Sequence, residues 1–75
     1  MNNLVSEKRL KRSELARRTG CNLETIRYYE KIGMMPEPPR TASGYRIYDD
    51  THVARLRFIL RGRELGFSIE ELRGL

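Results

Sequence analysis

Apolar positions along this chain fall in short periodic groups separated by glycine and proline. In "SELARRTG" the spacing of Leu15, Ala16 and Thr19 predicts a first short helix with a narrow buried stripe, capped by Ser13 and ended by Gly20. Two residues later Asn22 is a suitable cap for a second helix over 23–32. Cys21 before that cap and Ile26 four residues after it form a hydrophobic staple, which fixes the direction in which the chain joins the helix. Two helices joined by so tight a turn read as a helix-turn-helix.

Downstream, the prolines of "GMMPEPPRT" end helical structure, with Met34 and Met35 expected to fill the elbow. The segment "RTASGYRIY" then predicts a small hairpin: Ala42, Ser43 and Gly44 turn the chain, and residues 45–48 alternate as a strand. Asp49 or Asp50 caps a third helix running to about residue 65, with Val53, Leu56, Ile59 and Leu60 as its core face and Gly66 closing it. In "FSIEEL", Ser68 with Glu71 forms a capping box and Phe67 with Leu72 a second staple, so a fourth helix begins there. Residues 1–9 are polar and aperiodic and are expected to be a flexible lead-in to one domain over 10–75. The fourth helix has run about two turns when the sequence stops, so the ending is expected to be a cut within a longer protein. The expected architecture is mainly α: four helices with a small β-hairpin.

Fifteen Lys and Arg against ten Asp and Glu give the 75 residues a net charge of +5 and a pI near 9.9, a balance that favours a nucleic-acid partner. No apolar run approaches membrane-spanning length, and no export signal is visible in the N-terminal residues. The one cysteine cannot form an internal disulfide, which fits a reducing cytoplasm.

At about 100° per residue the second helix sorts its side chains into two faces. Leu23, Ile26, Tyr29 and Gly33 fall on one side; Glu24, Arg27, Tyr28 and Lys31 fall on the other. Tyr29 is therefore assigned to the core, while Arg27, Tyr28 and Lys31 project outward, where they can supply hydrogen bonds to phosphates and base edges. A solvated charged face is the plainer alternative. Arg17 and Arg18 at the end of the first helix, where a helix-turn-helix crosses a DNA backbone, weigh against it. So does the hairpin, in which Arg40, Tyr45 and Arg46 surround a small-residue turn. A basic hairpin beside a helix-turn-helix is a wing, a second grip on phosphates.

Other features carry less. Cys21 reads as a small buried apolar residue, and with His52, expected to face water, it offers too few ligands for a structural zinc site. No metal site and no cofactor are expected in this chain. No carboxylate pair, Cys–His couple or glycine-rich phosphate loop supports catalysis. Arg55, Arg57, Arg61 and Arg63 are expected to be mostly solvated, with one or two within reach of flanking phosphates. Ala54, Phe58 and Leu65 make a second apolar stripe on the third helix.

In order, "ETIRYYEKIG", "RTASGYRIY" and "RFILRGRELGFSIEEL" resemble the N-terminal DNA-binding domain of the mercury-resistance regulator (MerR) family over residues 10–75. The resemblance implies a winged helix-turn-helix with its second helix in the major groove of double-stranded promoter DNA. It also implies binding as a homodimer to a palindromic site and distortion of the DNA between promoter elements, with RNA polymerase as a further partner and the cytoplasm, at the nucleoid, as the location. Arg27 and Tyr28 match the family's recognition-helix contacts, and Arg40, Tyr45 and Arg46 its wing contacts. Arg17 and Arg18 fall in a stretch often close to phosphates, and Thr25 is expected to add a hydroxyl at the helix start. Arg12 stands where the family has an apolar residue in a short first strand, which counts against that strand here, and Cys21 stands where valine is usual. Family members continue into a long dimerising helix and an effector site, neither of which lies within these residues. An excisionase-like architectural DNA-binding protein shares the winged scaffold and is the first alternative; a module binding an acidic protein partner is the second.

Overall fold

The computed structural model describes residues 9–75. Four helices follow in order: α1 over Arg12–Thr19, α2 over Leu23–Lys31, α3 over Asp50–Glu64 and α4 over Ile69–Arg73. The core lies where α1, α2 and α3 meet, with Leu15, Ile26, Leu56 and Ile59 fully enclosed and Leu72 of α4 inserted beside them. The expected lead-in falls mainly on residues 1–8, outside the described residues; Arg9 is exposed.

Local chemistry explains most of the helix boundaries. The backbone at Gly20 turns left-handed at φ 74°, which lets its N–H reach the Ala16 carbonyl and end α1. Asn22 Oδ1 accepts the Thr25 N–H at 2.8 Å, and buried Cys21 and Ile26 complete the staple. Asp49 caps α3 by accepting the Thr51 N–H at 2.9 Å, and the Ser68–Glu71 box opens α4 with both reciprocal bonds.

Four expectations need correction. Helix α1 begins before Ser13: Lys11 is the cap residue, and the Glu14 carboxylate accepts the Lys11 N–H at 2.9 Å. Leu23 is 45% exposed, because the inward face of α2 is filled by Ile26 and Tyr29. Phe67 is likewise exposed, whereas Leu72 is buried against Gly62. His52 is buried, its ring edge-on to Tyr48 at a centroid distance of 5.1 Å and its Nδ1 3.1 Å from Asp49 Oδ1.

The wing is sparser than a hairpin ladder. Its turn closes with the Gly44 N–H on the Thr41 carbonyl at 2.9 Å and Gly44 at φ 94°. Among the described residues strand pairing is limited to single bridges, Arg40 with Arg46 and Leu10 with Tyr48. Proline is the reason on one arm: Pro36, Pro38 and Pro39 have no N–H to donate, and only the Pro39 carbonyl takes part, accepting the Ile47 N–H at 2.8 Å. Beyond the hairpin, Tyr48 exchanges both backbone bonds with Leu10 at 2.8 Å. The short first strand is thus present as one paired residue, and Arg12 follows as the first residue of α1.

Candidate nucleic-acid interface

Helix α2 supplies one wall of the candidate site. Its cap and its buried Ile26 and Tyr29 fix its rotation about its own axis, leaving Glu24, Arg27, Tyr28 and Lys31 exposed. Thr25 is half-buried at the helix start. Across an open groove of about 790 Å³, Arg27, Tyr28 and Lys31 face Arg46 of the wing. The groove carries Arg12 as well, and Glu24, Glu30 and Glu37 among its cations.

The wing tip forms the other part of the candidate site. Tyr45 is 74% exposed, and Arg40 lies back along the turn with its Nη1 donating to the Gly44 carbonyl at 3.0 Å. Arg46 is half-buried, with its Nε 3.9 Å from Glu30 Oε1. Arg17 and Arg18 are exposed on the last turn of α1, away from the groove; their charge also complements the negative end of that helix dipole. Of the expected site residues, the groove gathers Arg27, Tyr28, Lys31 and Arg46. Arg17, Arg18, Thr25, Arg40 and Tyr45 lie outside it.

Sequence reasoning missed the residues beneath this surface. Arg12 Nη2 donates to Glu30 Oε1 at 2.9 Å, Arg12 Nε donates to the Tyr48 hydroxyl oxygen at 2.9 Å, and the Tyr48 hydroxyl donates to Glu30 Oε2. Burial and the bond to Glu30 push the Tyr48 phenol up to about 12. Only the departure of Arg12 from an apolar pattern could have signalled this cluster.

Three arginines donate to backbone carbonyls of distant segments; two of them, half-buried Arg55 and exposed Arg57, belong to the face of α3 expected to be mostly solvated. Arg55 Nε donates to the Met34 carbonyl at 2.8 Å, Arg57 Nη2 to that of Arg18 at 3.2 Å, and Arg73 Nη1 to that of Ile32 at 2.9 Å. The last two serve the C-terminal ends of α1 and α2, where carbonyls lack partners within the helix. Cys21 is buried, which pushes its thiol pKa up, and no group of three potential metal ligands occurs among the described residues.

Comparison with known proteins places this geometry. Residues 10–75 match the family described as MerR HTH family regulatory protein. The mercuric resistance operon regulatory protein of Bacillus cereus is 56% identical over 59 residues, covering 79% of this chain and 45% of that protein. The transcription regulator PbrR691 from Ralstonia metallidurans, solved in complex with Lead(II), superposes with a TM-score of 0.81 at 37% identity, over 87% of this chain and 51% of that one. HiNmlR, a MerR family regulator lacking the sensor domain and bound to promoter DNA, shares the fold with a TM-score of 0.81 at 23% identity, over 88% of this chain and 50% of that one. The chain thus spans about half the length of the relatives it matches. It belongs to the MerR helix-turn-helix family, a family of DNA-binding transcription regulators and not of enzymes.

Proposed function

We propose that this domain binds double-stranded promoter DNA sequence-specifically, with α2 in the major groove and the wing on the adjoining backbone. The observation that carries the reading is the shared groove, in which outward Arg27, Tyr28 and Lys31 of the second helix face Arg46 of the wing. Arg27 and Tyr28 read base edges; Lys31, Arg40, Tyr45 and Arg46 hold the backbone; Thr25 adds a hydroxyl at the start of α2. Arg17 and Arg18 reach flanking phosphates where α1 crosses the duplex.

Two copies of the domain occupy a palindromic site in this reading and distort the DNA between them, placing the protein in the cytoplasm beside RNA polymerase. Bending a site costs on the order of 1–6 kcal/mol, which the phosphate contacts of both copies must offset. Fluorescence anisotropy on palindromic and scrambled duplexes at fixed salt tests the proposal. The palindrome should bind more tightly, and inserting about five base pairs, half a helical turn, between its halves should remove the advantage. Equal affinity for all duplexes would reduce the domain to a non-specific polyanion binder.

A further inference from the structure

The cluster under the groove joins three parts of the chain at one carboxylate. Glu30 lies on α2 with its side chain 12% exposed, beside the residues assigned to DNA. Oε1 takes Arg12 from the first turn of α1 at 2.9 Å, and Oε2 takes the hydroxyl of Tyr48 from the base of the wing. Arg12 also donates to that hydroxyl at 2.9 Å, so the three side chains close a ring of hydrogen bonds. Tyr48 is enclosed in the core and bound through its backbone to Leu10, which leaves the base of the wing little freedom. Charge-assisted bonds in a part-buried setting are stronger and more directional than exposed ion pairs.

Arg46, two residues before Tyr48, lies at the rim of this ring. Its Nε is 3.9 Å from Glu30 Oε1, and among the described residues its guanidinium has no hydrogen-bond partner. A loose hold on one edge of a planar fork limits where its remaining donors point. A recognition helix and a wing must land together, one on base edges and the other on phosphates, so their relative placement decides whether both sets of contacts form.

We infer that Glu30 is a positioning residue for DNA binding: through Tyr48 and Arg12 it fixes the wing relative to α2, and it aims Arg46 at the phosphate backbone. The inference rests on the DNA-binding reading for its second half and on geometry within the chain for its first. Glu30 itself touches no base or phosphate in this scheme. Replacing it does not remove a DNA contact; it removes the alignment of two others.

Two measurements test it. Hydrogen exchange in the free protein reads the clamp: Glu30→Gln and Tyr48→Phe should each speed exchange at the Thr41 and Ile47 amides, which hold the wing, relative to Leu56 and Ile59 in α3. Uniform acceleration at all four amides, or none, would overturn the clamp. A double-mutant cycle on duplex binding, measured well below the unfolding midpoint, reads the aim. Glu30→Gln should weaken binding about tenfold, a coupling within the range seen for contacting residues, and by much less when Arg46→Ala is already present. Full additivity of the two substitutions would overturn the link to Arg46. A wild-type chain that holds no duplex would overturn the DNA-binding reading and the aiming of Arg46 with it, whereas the exchange measurement, made without DNA, decides the clamp independently.

Discussion

Tyr28 and Tyr29 are neighbours in sequence with ring centroids 5.7 Å apart, yet Tyr28 is 53% exposed and Tyr29 only 7%. A step of about 100° along α2 separates an outward phenol, proposed to contact DNA, from a core ring. Tyr29→Ala should therefore destabilise the domain by about 3–5 kcal/mol, a large part of what a small domain possesses. Tyr28→Ala should leave stability within about 0.5 kcal/mol while weakening duplex binding. Thermal unfolding and anisotropy on the same pair of variants check both; the opposite pattern would exchange the roles of the two rings.

Arg27 and Arg40 should differ in kind. Arg27→Ala is expected to cost about 1–3 kcal/mol on the preferred site and to relax discrimination at one base-pair position. Arg40→Ala should weaken binding to every duplex about equally and flatten the log–log salt dependence by roughly 0.9. Titrations at several salt concentrations against matched and mismatched sites separate the two. A sequence-selective loss from Arg40→Ala with an unchanged slope would make it a base reader.

The physics behind these assignments was unevenly legible in the sequence. Asn22, Gly20 and the Ser68–Glu71 box act over three or four residues, so their spacing announced three of the helix ends. The same periodicity separated Tyr28 from Tyr29 and put Arg27 and Lys31 outside. What periodicity could not show was pairing at long range: Arg12 meets Glu30 across 18 positions and Tyr48 across 36. The arginines of α3 looked alike in the chain, yet Arg55 and Arg57 bond to carbonyls of distant segments. His52 was misplaced for the same reason, since its burial depends on Tyr48 arriving from the wing.

Alkaline titration should expose the Tyr48 cluster. Its phenol is pushed from the ordinary 10 up to about 12 in the folded chain, so the neutral form is favoured by folding. The stability this contributes is fully present below pH 10 and is lost as pH rises through about 12, a difference on the order of 2 kcal/mol. Denaturant unfolding between pH 9 and 12 should show a steeper decline for the wild type than for Tyr48→Phe. Parallel declines would mean that the phenol is not buried beside Glu30 in solution.

Cys21 invites a simpler test. It is buried at the staple, and burial pushes the thiol up and away from the reactive thiolate. Cys21→Val should leave unfolding and duplex binding nearly unchanged, because valine fills a similar apolar space. Thiol reagents should react with the folded wild type far more slowly than with the denatured chain. Tight zinc or copper binding that disappears on Cys21→Val would contradict this assignment.

Gly62 and Leu72 set the seat of α4. A Cβ on Gly62 would lie 2.4 Å from Leu72 Cδ2, 3.0 Å from Cδ1 and 3.2 Å from Cγ, so rotation of one methyl cannot make room. Leu72 is itself buried, so relief comes only by repacking its side chain in a crowded space or by moving α4 away from α3. Alanine gains about 1 kcal/mol over glycine in a helix interior, whereas overpacking costs about 1–3 kcal/mol. Gly62→Ala should therefore be net destabilising by about 1 kcal/mol, against the usual sense of that substitution within a helix. The displacement would also draw Arg73 away from the Ile32 carbonyl, at the end of the helix assigned to the major groove. Leu72→Ala opens the space that a methyl at position 62 needs, so the double variant should be more stable than the sum of the single losses allows. Strict additivity, or a raised unfolding midpoint for Gly62→Ala alone, would show that α4 shifts freely and that this contact does not fix its place.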